Sequence, residues 1–149
     1  MSKIIYITSW YNEKNADRKL ELSACLHNTI TSGSIDELWL LNEDSTITEW
    51  VFPDVWQLHV VNISRRPTYN DFFKLANRVG KEGDIVIIAN TDIYPEVGMR
   101  KFLQSMDQND CYALSRYDED VEGNKIFFDR WDSQDTWIFK GKIKPIRFC

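Results

Sequence analysis

The sequence has no excess of basic charge. Its 18 Lys and Arg are outnumbered by 23 Asp and Glu, giving a formal net charge of −5 at pH 7, so no overall positive field exists to hold a polyphosphate backbone. Nucleic acid is therefore disfavoured as the main ligand. The only marked apolar run, Ile85 to Ala89, is far short of the roughly 20 residues that a membrane-spanning helix needs. Met1 to Tyr11 has neither the apolar region nor the small-residue cleavage site of a signal peptide. A soluble, unexported, cytoplasmic protein is the expectation. Cys25, Cys111 and Cys149 are odd in number and show no paired C-x-x-C spacing, which argues against structural zinc, redox pairs and disulfides and for reduced, inert thiols. No internal repeat, low-complexity stretch or linker divides the 149 residues, so one domain is expected. Neither G-x-G-x-x-G nor G-x-x-x-x-G-K-[ST] occurs, and no G-x-S-x-G accompanies His27 or His59. Dinucleotide fingerprints, P-loops and hydrolase triads find no support.

What is present is an alternation of strand and helix periods. Residues 3–8, Lys-Ile-Ile-Tyr-Ile-Thr, are β-branched and aromatic and read as a buried strand. Leu22, Cys25, Leu26, Thr29 and Ile30 then form a helical stripe that Ser32-Gly33-Ser34 stops. Strands are predicted at 37–41 and 56–63, with loop between them from Asn42 to Asp54. A helix capped by Thr68 or Asn70 carries Phe72, Leu75, Ala76 and Val79 on one face, and a doubly apolar strand follows at 84–89. Pro95 suits the first turn of a third helix with the stripe Met99, Phe102, Leu103 and Met106. Further strands at 111–115, 125–128 and 136–139 come without intervening helices. The fold class this implies is α/β, with a mostly parallel central sheet and flanking helices.

Ligands of open α/β sheets bind at the carboxyl ends of the strands, so the loops there carry the chemistry. Strand one ends in Ser9-Trp10-Tyr11-Asn12-Glu13, strand three in Ser64-Arg65-Arg66-Pro67-Thr68-Tyr69-Asn70-Asp71, and the apolar strand in Asn90-Thr91-Asp92. Asn90 and Asp92 place two hard oxygen-bearing side chains at i and i+2, a pattern suited to Mg²⁺ or Mn²⁺ completed by water and phosphate. It suits a turn or a helix cap as well. Arg65 and Arg66 offer forked donors to phosphate oxygens. Asn70 and Asp71 beside Tyr69 have the groups that hold a nucleobase edge and ribose hydroxyls. Asp129-Arg130-Trp131-Asp132-Ser133-Gln134-Asp135 can grip sugar hydroxyls, with Asp135, and after it Asp132, as the candidate base and Trp131 as a wall. The acidic stretch Tyr117 to Asn124 reads as a solvated hairpin without a direct chemical role.

Taken together, Ile87-Ile88-Ala89-Asn90-Thr91-Asp92-Ile93-Tyr94 and Trp131-Asp132-Ser133-Gln134-Asp135-Thr136-Trp137-Ile138-Phe139-Lys140-Gly141 resemble glycosyltransferases of the A-type (GT-A) fold, whose fourth strand ends in an Asp-x-Asp metal motif. The resemblance implies that Thr8 and the Trp10, Tyr11, Asn12 and Glu13 loop lie around a nucleotide. It implies Arg65 and Arg66 near base or diphosphate, Asn70 and Asp71 near base and ribose, and Asp92 as ligand of Mn²⁺ or Mg²⁺. Two departures stand out: Asn90 replaces the first Asp, and the chain stops at Cys149, where such folds continue into an acceptor-binding half, so a shortened member is expected. The function so implied is metal-dependent transfer of a sugar from a nucleotide-diphosphate donor to an acceptor hydroxyl. The alternatives are a non-catalytic nucleotide- or carbohydrate-binding module and, ranked last for want of a Gly-rich basic loop after strand one, a nucleotidyltransferase.

Overall fold

The computed structural model describes residues 2–43, 58–127 and 134–143. Strand β1 (Ile4–Trp10) leads to helix α1 (Ala16–Thr31), then β2 (Glu37–Glu43), β3 (Leu58–Ile63), α2 (Tyr69–Val79) and β4 (Ile85–Ala89). After these come α3 (Met99–Gln104), β5 (Cys111–Leu114), β6 (Tyr117–Glu119), β7 (Lys125–Phe127) and β8 (Thr136–Lys140).

Six strands form one sheet in the order β3-β2-β1-β4-β8-β5. The first four run parallel, and β8 is antiparallel to both β4 and β5. Alternation along each strand sends neighbouring side chains to opposite faces. Ile4, Tyr6, Ile85 and Ile87 pack with Leu22 and Leu26 of α1 and Leu103 of α3. Ile5, Ile7, Val86 and Ile88 pack with Leu75 and Ala76 of α2. Helices therefore cover both faces, which is why β4 is buried along its whole length. The fold class read from the sequence holds: α/β, mostly parallel, with flanking helices.

Element boundaries differ from the sequence expectation where a local bond outweighs the pattern. Helix α1 begins before its apolar stripe because the Asn15 side chain accepts the Arg18 amide and caps the first turn. Strand β2 runs on to Glu43 because Asn42, fully buried, donates through Nδ2 to Asn62 Oδ1 on β3 at 2.9 Å. Pro95 does not open a helix: it is buried in the loop after β4, and α3 starts only after Gly98, whose φ of 93° ends the preceding turn. The acidic stretch is a hairpin as expected, β6 pairing antiparallel with β7. Residues 56, 57 and 128 of the expected strands lie outside the described residues.

Candidate functional site at the β1–β4 crevice

Strand order reverses between β1 and β4, the position at which connections diverge and open α/β sheets leave a crevice. Three hydroxyls lock that crevice. Thr8 Oγ1 donates to the Ala89 carbonyl at 2.8 Å, Ser9 Oγ meets Thr91 Oγ1 at 2.9 Å, and Thr91 Oγ1 donates to the Ser9 carbonyl at 3.0 Å. These bonds fix the loop that carries Asp92 at the mouth of the crevice. Thr8 is buried and committed, and Trp10 is packed in the core. Both were expected around a ligand, and both instead hold the frame. Tyr11 is half-buried against that core, while Asn12 is exposed and Glu13 turns back to accept the Asn15 amide at 3.1 Å.

Asp92 points one carboxylate oxygen, Oδ2, at the Arg18 guanidinium of α1, 2.9 Å away. Arg18 also contacts Glu21 at 2.9 Å. Asn90 belongs to a different set. Its amide nitrogen donates to Asp135 Oδ1 at 3.1 Å, and its backbone N–H to the Asp135 carbonyl at 3.1 Å. The other Asp135 oxygen accepts from Arg116 Nη1 at 2.6 Å, and Arg116 Nε reaches Asp118 at 2.8 Å. Asp135 is thus buried between an amide and a guanidinium, with neither of its oxygens left unbonded. That environment suits a positioning group better than the base expected from the sequence. Asp132 and Trp131 lie outside the described residues.

Beside Asp92 opens a cleft of about 980 Å³ between α1, α3 and the β6–β7 hairpin. Tyr94, Phe102 and Tyr117 supply rings to it, and Arg116, Asp118 and Glu119 supply polar groups. Tyr94 donates its hydroxyl to Glu119, which pushes the phenol up to about 12 and ties the hairpin to the loop after β4. The hairpin is solvated as expected, yet its inner side walls this cleft. Cys25 lines it too, and burial, foremost, raises its thiol to about 11, so it remains a neutral, unreactive group.

The residues expected after strand three lie on the α2 side of the sheet. Arg65 grips Asp71 through both terminal nitrogens, at 2.6 and 2.8 Å, and Asp71 also accepts the Thr68 amide at 2.7 Å. Thr68 and Asp71 form a reciprocal capping box at the start of α2. Arg65 was expected on phosphate and Asp71 on ribose; each instead satisfies the other, and the guanidinium holds the carboxyl far below the usual range. Tyr69 packs edge-on against Trp137 at 5.3 Å, while Arg66 and Asn70 are exposed. The sequence reading missed Arg18 and Arg116. Arg18 carried one usable signal, a cation in the first turn of a helix where the macrodipole disfavours it.

The donor set fits a divalent cation weakly by itself and firmly only in company. Among the described residues no three His, Cys, Asp or Glu side chains come together as a metal site. Asp92 offers one carboxylate, and its Oδ1 has no protein partner among the described residues. One carboxylate completed by diphosphate oxygens and water is a common arrangement for Mg²⁺. A cation would therefore be held by Asp92 and the ligand jointly.

No family model matches the sequence, and no curated protein matches it by sequence. Among solved structures it is similar to 4-diphosphocytidyl-2C-methyl-D-erythritol synthase from Anaerococcus prevotii, with TM-score 0.56 at 14% identity over 93% of this chain and 70% of that one. A second 4-diphosphocytidyl-2C-methyl-D-erythritol synthase gives TM-score 0.54 at 12% identity, covering 94% of this chain and 76% of the other. The apo-form glycosyltransferase GlyE of Streptococcus pneumoniae gives 0.48 at 11% identity over 94% of this chain and 34% of that one. At such identities the shared property is the fold.

Proposed function

We propose that the chain is a nucleotide-sugar-dependent transferase, or the donor-binding portion of one, which binds the donor diphosphate at the β1–β4 crevice with Mn²⁺ or Mg²⁺ at Asp92. The observation that carries this reading is the placement of Asp92. It stands at the carboxyl end of the central apolar strand, at the reversal of strand order, beside a cleft large enough for a sugar ring and lined by Tyr94 and Tyr117. A cation held at Asp92 would neutralise charge on the diphosphate leaving group. Asp92 holds the donor end, Ser9 and Thr91 keep its loop rigid, and the aromatic rings of the cleft exclude water around the sugar. Asp135 and Arg116 position the rim formed by Asn90, and Asp132, outside the described residues, is the other candidate base that the sequence offers.

Isothermal titration with a panel of nucleoside diphosphates, with and without Mn²⁺, tests the reading. Asp92→Asn is expected to weaken metal-dependent binding at least tenfold, about 1.4 kcal/mol. Equal affinity in wild type and variant overturns it. Nucleotidyl transfer is the second reading, favoured by the diphosphocytidyl products named for the two similar synthases. Pyrophosphate release from a nucleoside triphosphate would identify it.

A further inference from the structure

Arg18 occupies a position that local rules oppose. It is the third residue of α1, where the helix dipole disfavours a cation. What holds it there is a pair of carboxylates, Glu21 and Asp92, each at 2.9 Å. The cluster is net negative before any ligand arrives, since two carboxylates face one guanidinium. A diphosphate entering alone meets that negative charge, whereas a divalent cation is drawn to it. Cation and guanidinium, however, want the same carboxylate, and two positive groups on Asp92 repel each other.

The Arg18–Asp92 pair is built to open. Both side chains are more than one-third exposed, at 38% and 37%, and ion pairs so exposed contribute little to stability. Once displaced, the planar fork of Arg18 has one obvious new partner within the same crevice, the non-bridging oxygens of a diphosphate that shares the cation. We propose that Arg18 is an exchange switch for the donor site: it occupies one oxygen of Asp92 in the free protein and so competes with a cation there, and when a divalent cation takes that carboxylate the guanidinium transfers to the diphosphate. This inference rests on the donor-site reading given above. It makes cation and nucleotide binding mutually dependent, because each removes an obstacle to the other.

Its signature is two effects of opposite sign from one substitution. Arg18→Gln removes the competitor for Asp92, so the free protein is expected to bind Mn²⁺ at least threefold more tightly, read by electron paramagnetic resonance of the unbound ion. The same variant loses the diphosphate contact, so nucleoside diphosphate titrated at saturating Mn²⁺ is expected to bind at least tenfold more weakly. Arg18→Lys keeps the charge and loses the fork: Mn²⁺ affinity stays near wild type while nucleotide affinity falls. Circular dichroism verifies folding, and Arg18→Lys carries the test if Arg18→Gln does not fold. Mn²⁺ affinity unchanged in Arg18→Gln overturns the masking of Asp92. Nucleotide affinity unchanged in either variant overturns the exchange while the donor site stands. Wild-type protein that binds no nucleoside diphosphate with Mn²⁺ overturns the donor-site reading and the exchange together.

Discussion

Asn90 and Asp135 explain each other. The Asn90 amide donates to an Asp135 oxygen 3.1 Å away, so an aspartate at position 90, though itself exposed, would replace that donor with a second carboxylate against the buried Asp135, and the two would repel. The neutral residue that departs from an Asp-x-Asp pattern is thus matched to its neighbour across the sheet. Asn90→Asp is expected to lower stability by about 1–3 kcal/mol at pH 7. The double variant Asn90→Asp with Asp135→Asn should recover most of that loss in urea denaturation. Asp71 gives a pH-dependent counterpart. Its carboxyl is held far below the ordinary value by Arg65, and by the Thr68 amide and hydroxyl, in the folded state. The stabilisation it contributes is therefore complete above the unfolded value near 4 and is lost as pH falls toward the depressed one. Asp71→Ala is expected to cost about 1 kcal/mol at pH 7, and urea midpoints of variant and wild type should converge as pH is lowered from 5 to 2.

At the scale of elements, two connections hold the site in place. Tyr6, buried in β1, donates its hydroxyl to the Ile93 carbonyl at 3.2 Å and so anchors the loop that carries Asp92. Tyr6→Phe is expected to cost about 0.5–1.5 kcal/mol and to raise amide exchange at residues 91–94, measured by hydrogen-exchange mass spectrometry. The end of β8 turns at Gly141, whose φ of 117° excludes L side chains. A Cβ there would lie 2.9 Å from Gln108 Nε2 and 3.0 Å from Asn109 Oδ1. Gly141→Ala should destabilise by about 1–3 kcal/mol, and thermal unfolding checks it. Helix boundaries were legible where apolar periodicity and caps coincide, as in α2 with Thr68. They were illegible where Pro95 imitated a helix start, because proline fits the loop after β4 as readily as a first helical turn.

For the whole molecule, stability is unevenly distributed. Strands β1 and β4 lie at the centre of the sheet and are buried on both faces, whereas the β6–β7 hairpin belongs to a separate two-stranded sheet and is exposed throughout. Native-state hydrogen exchange should find the slowest amides in β1 and β4 and fast opening of residues 117–127. Slower exchange at residues 91–94 on adding Mn²⁺ with a nucleoside diphosphate is the outcome expected from the proposed site. The strands, the two longer helices and the loops at their carboxyl ends could be read from the chain itself, because period, capping and β-branched runs are local properties of consecutive residues. The insertion of β8 between β4 and β5, the pairing of Arg65 with Asp71, and the meeting of Arg18 with Asp92 could not. A charged side chain written as a ligand contact in one dimension finds a protein partner in three, since folding brings opposite charges from distant segments within hydrogen-bond reach. Residue types and their order determined the sheet and the edge at which chemistry could occur; which polar groups at that edge are committed to one another was decided only when the strands packed side by side.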